Sequence, residues 1–276
     1  MAIAFRAKFW NIGAEGQLLA GAVTATALGV SMGGLPQMVV LPTIIAAGFL
    51  AGGLWASIPA LLKTKLKVDD VVSTLLLNYV MIHIMGALLF GPLQQPGSSW
   101  PRSSAIIEAA QYPILMSRSR FHMGIIVSFV AVLVIWFINK KTTFGYQAKA
   151  VGTNIRAAHF GGINTTAVIL WTALISGGLA GLAGVGELCA LQYRLIMDIS
   201  PGYGYSGIVI AMLGNLHPVG VLFSSLFFSV IIVGAQTMSR MTGVPTYIAE
   251  VIQGMALMVM LIFLLFTEYK LKVQRK

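Results

Sequence analysis

Few side chains in this sequence could do chemistry, and most of those sit inside apolar runs. The first group is Asn11, Glu15 and Gln17, carried with Gly13 and Gly16 at the mouth of the small-residue run Leu18 to Val30. Others follow singly or in pairs: Asn78, Ser176, Glu187, Asn215, Gln236, and Glu250 with Gln253. A carboxylate or amide in such surroundings needs a partner, a cavity or water. Residues of this kind either line a path for a polar solute or tie helices together, and the sequence leaves both readings open for each of them.

Enzymatic chemistry finds less support. Proteolysis or lipid modification within a membrane would need a nucleophile with a base, or paired carboxylates. Ser176 with a distant histidine is all that the sequence offers. His83, His122, His159 and His217 share no metal-ligand spacing, and no HExxH occurs. The single Cys189 excludes an internal disulfide and a cysteine-built metal site. No GxxxxGK[ST] cradle for phosphate is present, and the glycines from Gly177 to Gly186 lack the strand–turn–helix setting of a dinucleotide fingerprint. The chain therefore reads as a non-enzyme with no cofactor and no metal of its own.

The elements that position these residues follow from composition. Of 276 residues 57% are hydrophobic and only 9% charged, where a soluble domain has about 25% charged residues. Such a chain belongs in a bilayer, among membrane lipids. Lys and Arg outnumber Asp and Glu by 18 to 8, but they lie in the gaps between apolar runs and form no basic patch, so nucleic acid is not an expected partner. No small-residue cleavage site follows a short apolar core after Met1 to Lys8, so no cleavable signal peptide is visible. Soluble linkers and low-complexity tracts are absent, and residues 1–276 read as one transmembrane domain.

Taking about 20 apolar residues as the length that crosses a bilayer, spans are expected at 37–62, 71–91, 122–139, 165–187, 218–238 and 246–267. Two segments are less plain: 12–31 begins with polar groups and is rich in glycine, and 204–216 is short, bounded by Pro201-Gly202 and His217-Pro218. The fold class is all-α, a polytopic membrane protein of about eight spanning or partly spanning helices. If all cross, Arg6, Lys8, Lys63, Lys65, Lys67, Lys140, Lys141, Lys149, Arg156, Lys270, Lys272, Arg275 and Lys276 share one side. They outnumber Arg102, Arg118, Arg120, Arg194 and Arg240 on the other, which makes the first side, with both termini, cytoplasmic. The short 204–216 segment must then reach across, with Ser200 to Tyr205 as an irregular start against protein or a water-filled cavity.

Two loops exceed turns. Residues 92–121, with Pro92, Pro96, Pro101 and Pro113, form an extracytoplasmic loop with a short helix near Ile106 to Gln111. Residues 140–164 form a cytoplasmic loop, helical from about Tyr146 to Phe160, which either lies on the membrane surface or docks a soluble partner. Inside the membrane, Gly48 with Gly52 and Gly177 with Gly181 show GxxxG spacing, and Gly184 extends the second small-residue face. Close helix packing is the plainer explanation, a pore-lining or hinge role the other. Trp10, Trp55, Tyr203 and Tyr205 either stack on a ring-bearing solute or anchor the chain at the interface; for Trp55 and Tyr79 anchoring or packing is the better reading.

The run Phe9-Trp10-Asn11-Ile12-Gly13-Ala14-Glu15-Gly16-Gln17-Leu18 resembles the signature of bacterial ABC-importer permeases of the nucleoside and simple-sugar class, related to ribose and branched-chain amino acid permeases. Further matches follow in the family's order: Val71 to Tyr79, Ala150 to Asn154 with Ala157-Ala158 and Gly161-Gly162-Ile163, Ser176 to Gly184, and Gly204 to Ile208 through Leu213-Gly214. The resemblance covers nearly the whole chain. It implies a multi-pass subunit of the cell (inner) membrane that pairs with a second permease subunit, is driven by a cytoplasmic ABC ATPase and receives solute from an extracytoplasmic binding protein. ATP would stay on the ATPase. On this resemblance Asn11, Glu15, Asn78, Glu187 and Ser206 are expected along the substrate path. Ala150, Gly152, Asn154, Ala157, Ala158 and Gly161 are expected to couple to the ATPase, and Gly177, Gly181 and Gly184 to pack helices.

The implied function is translocation of nucleosides by alternating access; a simple sugar such as ribose is the alternative solute, and an inactive, truncated membrane scaffold the alternative of another class. Relatives carry one or two further helices before the signature, and Met1 to Arg6 reads as the tail of such a helix. Two other departures are Lys8, where relatives tend to have a small residue, and Ser206, where they often have an acidic one.

Overall fold

In the computed structural model the residues described are 1–116, 119, 121–242, 247–248, 251–252, 254–255, 258–259 and 262. Arg118, Arg120, Glu250, Gln253 and the basic tail from Lys270 to Lys276 lie outside them. Helix α1 (Ala2–Arg6) ends at Ala7, and the chain runs without regular structure to Gly13 before α2 (Ala14–Ser31) begins. Within that break Lys8 takes a left-handed backbone (φ 51°), which costs a non-glycine residue about 1 kcal/mol.

Four of the later helices start with a side-chain cap of the expected type. Helix α3 (Gln37–Leu66) carries Pro42 and Pro59 and closes at Lys67 in the left-handed conformation. Helix α4 (Asp70–Leu89) is capped by Asp69, which accepts from Val72 N at 3.0 Å. After α5 (Gly124–Lys141), Thr142 caps α6 (Thr143–Thr153), Asn154 caps α7 (Ile155–Phe160) and Asn164 caps α8 (Thr165–Glu187). Helix α8 runs on into a π-helical turn, Leu188–Gln192, and reverses at Tyr193. Helices α9 (Tyr203–Leu213) and α10 (Pro218–Thr242) follow.

Four of these helices, α3, α4, α5 and α10, and α8 together with its π-helical turn are long and apolar enough to cross a membrane. Helix α2 adds 18 residues, whereas α9, with 11 residues or about 16 Å, covers half of a core about 30 Å thick. The described residues between 247 and 262 are helical and fall within the span expected at 246–267. The protein is thus all-helical and polytopic.

The chain forms two compact units, Met1–Tyr205 and the residues from Ser206 on. The first is built on α2, α3 and α8, which meet through glycines. A Cβ on Gly181 would strike the Gly48 carbonyl, one on Gly21 the Gly181 backbone, one on Gly52 the Gly177 carbonyl, and one on Gly184 the Leu18 carbonyl. Backbone lies directly on backbone there, a packing that only glycine permits. In the second unit Gly214 and Gly220 meet in the same way where α9 turns into α10.

The two ends of the first unit differ in character. At one end the loop 92–121 is strapped across the bundle. Ile107 N donates to Gly29 O (2.9 Å), Ser103 N to Leu195 O (2.9 Å), Ile106 N to Tyr193 O (2.9 Å) and Tyr112 N to Cys189 O (2.8 Å). The helix expected near Ile106 to Gln111 is a single 3₁₀ turn, Glu108–Ala110. At the other end α1, α6 and α7 gather around Ala4, Phe9, Ala60, Ala148, Val151, Ala158 and Val168. The basic residues Arg6, Lys8 and Lys63 lie at this end, with Gly152 packed on the Arg6 carbonyl and Lys63 bonded to the Lys8 carbonyl.

Candidate functional site

Between α1 and α2 the chain turns back on itself, with Phe9 N bonded to Ala4 O, and leaves backbone donors and acceptors that lipid could not bond. Here buried side chains from α4 and α8 take them up. Asn11 and Gln17 face each other as paired amides: Asn11 Nδ2 donates to Gln17 Oε1 (2.9 Å), and Gln17 Nε2 donates to Asn11 Oδ1 (2.7 Å). Asn11 Oδ1 also accepts from Gly13 N (3.1 Å), and its Nδ2 reaches Ser176 Oγ (3.0 Å), halfway along α8. Ser176 Oγ accepts a further bond from the amino group of Met1 (3.2 Å).

From α4, Asn78 holds both strands of the break. Its Oδ1 accepts from Gly16 N (2.8 Å), and its Nδ2 donates to Ile12 O (3.1 Å) and to the Tyr205 hydroxyl (3.2 Å). One turn earlier, Thr74 Oγ1 accepts from Ile12 N (3.2 Å) and donates to Asp70 O (2.6 Å). Asp70 itself accepts from Trp10 N (2.6 Å) and from Lys63 Nζ (2.5 Å), and Lys63 Nζ also donates to Lys8 O (2.7 Å). The segment is therefore pinned twice, by amides that reach the middle of α8 and by an ion pair near the basic end.

Glu15 closes the arrangement. It is 4% exposed, and its Oε2 accepts from Gly204 N at 2.7 Å, with further bonds from the Ser200 hydroxyl and the Gly202 backbone. Gly204 lies against the backbone of Ala14 and Glu15 so closely that any Cβ would collide with it. The starts of α2 and α9 thus meet at this carboxylate.

Of the residues expected along a substrate path, Asn11, Glu15 and Asn78 come together, each buried and hydrogen-bonded within the protein. Glu187 stands apart at the end of α8, where its Oε1 accepts from Gln192 Nε2 (3.2 Å) in the π-helical turn. Ser206 is half-buried and belongs to the second unit. The loop 140–164 holds two helices where one was expected, because the Asn154 side chain accepts from Arg156 N (3.0 Å) and Ala157 N (3.1 Å) and starts α7 afresh. Gly152 and Ala158 are buried, Ala150 is half-buried, and Asn154, Ala157 and Gly161 are exposed beside Ile155 and Phe160, whose ring is 95% exposed.

Lys63, Asp70, Thr74, Ser200 and the Tyr205 hydroxyl were not singled out for these contacts by the sequence. Asp69-Asp70, two adjacent acids in an otherwise basic stretch, was the available signal: the first caps α4 and the second pairs with Lys63. The roles of Ser200 and Tyr205 depend on partners far away in sequence, which no local pattern reports.

A bundle of membrane-length helices with irregular segments held by buried hydrogen-bonding side chains suits a membrane transporter. Residues 1–262 match the family described as "Branched-chain amino acid transport system / permease component", and the chain belongs to that family. It is 34% identical over 255 residues to the guanosine ABC transporter permease protein NupP of Bacillus subtilis, covering 91% of this chain and 73% of that one. It is also 34% identical over 278 residues to the glucose ABC transporter permease protein TsgB13 of Haloferax volcanii, covering 97% and 73%. The nucleoside ABC transporter permease protein NupB of Lactococcus lactis is 29% identical over 260 residues, covering 91% and 71%. No solved structure gives a significant match. The protein is a multi-pass membrane transport subunit and not an enzyme.

Proposed function

We propose that this chain is the membrane-spanning subunit of an ATP-driven importer and that it carries nucleosides by alternating access. It pairs with a second permease subunit in the cell membrane, takes solute from an extracytoplasmic binding protein, and is driven by a cytoplasmic ATPase. The observation that carries the choice of solute is the junction at Glu15. Two helix starts meet there, and helix starts bind anions, but the protein's own carboxylate already occupies this pair. The side chains around it are amides, hydroxyls and a phenol, which suit an uncharged solute rich in hydrogen-bonding groups. The half-exposed Tyr205 ring beside the Asn78 amide favours a base-bearing solute, and the likeness to a guanosine permease agrees with that. The equal identity to a glucose permease favours the second reading, a simple sugar.

Uptake of labelled guanosine and labelled ribose into cells with and without this gene separates the two. Gene-dependent entry of guanosine alone supports the nucleoside reading, and entry of ribose alone replaces it by the sugar reading. Entry of neither, nor of labelled glucose, would point to an inactive scaffold.

The ATPase docks on α7 and its flanks, where Ile155, Ala157, Phe160 and Gly161 are exposed. Ala157→Glu adds a charge to that surface without touching the core, and uptake should be lost while the protein remains in the membrane at wild-type level. Gly152→Asp differs, because Gly152 is packed on the Arg6 carbonyl: it should lower the amount of folded protein as well. Normal uptake by Ala157→Glu would remove α7 from the docking surface.

A further inference from the structure

The carboxylate of Glu15 lies between two helix starts that would otherwise face each other bare. Each carries the positive end of a helix dipole, and Gly204 brings the two backbones into contact. Glu15 accepts from Gly204 N and is bonded to Ser200 and Gly202, so one side chain of α2 gathers the whole approach to α9. From the other side Asn78 ties the Tyr205 hydroxyl to the same break.

These donors cannot stand unbonded in lipid. Either the carboxylate holds them, or water admitted by an opening path takes its place. We infer that Glu15 is a latch: a positioning residue that holds the start of α9 against the start of α2 in the closed state and lets go when the path opens, without touching the solute. This rests on the chain being a transport subunit, but not on which solute it carries.

The test uses the complete transporter, this chain with its second permease and ATPase, in liposomes. Glu15→Gln keeps the side-chain shape but turns an NH₂ toward the N–H groups of α9. Hydrolysis of ATP without solute or binding protein should rise about tenfold, as expected for loss of a hydrogen bond to a charged group, and solute moved per ATP should fall. Ser200→Ala removes one donor from the α9 side and should give a smaller rise of about threefold. In both, the KM for solute should stay at the wild-type value.

A raised KM with unchanged solute-free hydrolysis would make Glu15 a solute contact and overturn the latch. Hydrolysis and uptake falling together with the amount of folded protein would reduce it to a packing residue. If Glu15→Gln fails to assemble, Ser200→Ala is read by the same measurements, and no rise there overturns the inference. A wild-type transporter that moves no guanosine would count against the nucleoside reading alone, since the latch is read from hydrolysis without solute.

Discussion

Asn78 bonds three separate parts of the chain: Gly16 at the start of α2, Ile12 in the break, and Tyr205 at the start of α9. Replacement by Leu would leave a buried N–H and a buried carbonyl without partners, at a cost of about 3 kcal/mol. The expected outcome for Asn78→Leu is a lower thermal midpoint and less folded protein in detergent, before any change in solute affinity. A variant that stays fully folded and shows only a raised KM would place Asn78 on the solute path. The sequence marked Asn11, Glu15 and Asn78 because polar groups in apolar runs are rare enough to stand out. It did not mark their partners, since Asn11 and Ser176 are separated by 165 positions and Glu15 and Gly204 by 189.

At the scale of elements, long apolar runs were legible, and α8 occupies the expected 165–187. The π-helical turn after it was not, because Leu188 to Gln192 continues the same apolar pattern with no glycine or proline to mark a change. The expected single helix in the loop 140–164 passes over a real local signal, since Gly152 and Thr153 are poor helix formers and Asn154 is a good cap. Glycine spacing pointed to close packing, and the structure supplies the partners: α2, α3 and α8 touch through Gly21, Gly48, Gly52, Gly181 and Gly184. Gly181→Val would drive a branched side chain into the Gly48 carbonyl, and overpacking of that kind should cost at least about 3 kcal/mol. Gly186, five residues further along α8, faces open space, so Gly186→Ala should hold or slightly raise the melting temperature, alanine being the better helix former by about 1 kcal/mol. Equal stability of the two variants would mean that the three helices are not held at this seam.

For the whole molecule, orientation follows from charge. Arg6, Lys8 and Lys63 share one end with α6 and α7, while the loop 92–121 closes the other. By the positive-inside rule the basic end is expected to be cytoplasmic. Lys141 and Trp100 are both exposed, and the native Cys189 is buried. A membrane-impermeant maleimide applied to intact cells should therefore label Trp100→Cys and spare Lys141→Cys; the reverse pattern would invert the topology. The glycine seam also limits how such a protein can work. Where carbonyl rests on α-carbon there are no rotamers to exchange, and sliding one helix past another would force backbones to climb over each other. Helices α2, α3 and α8 must then travel as one keel. Among the described residues of the first unit, the parts hung on that keel, above all the unwound residues Ala7 to Gly13 and the irregular approach to α9, are the ones left to move.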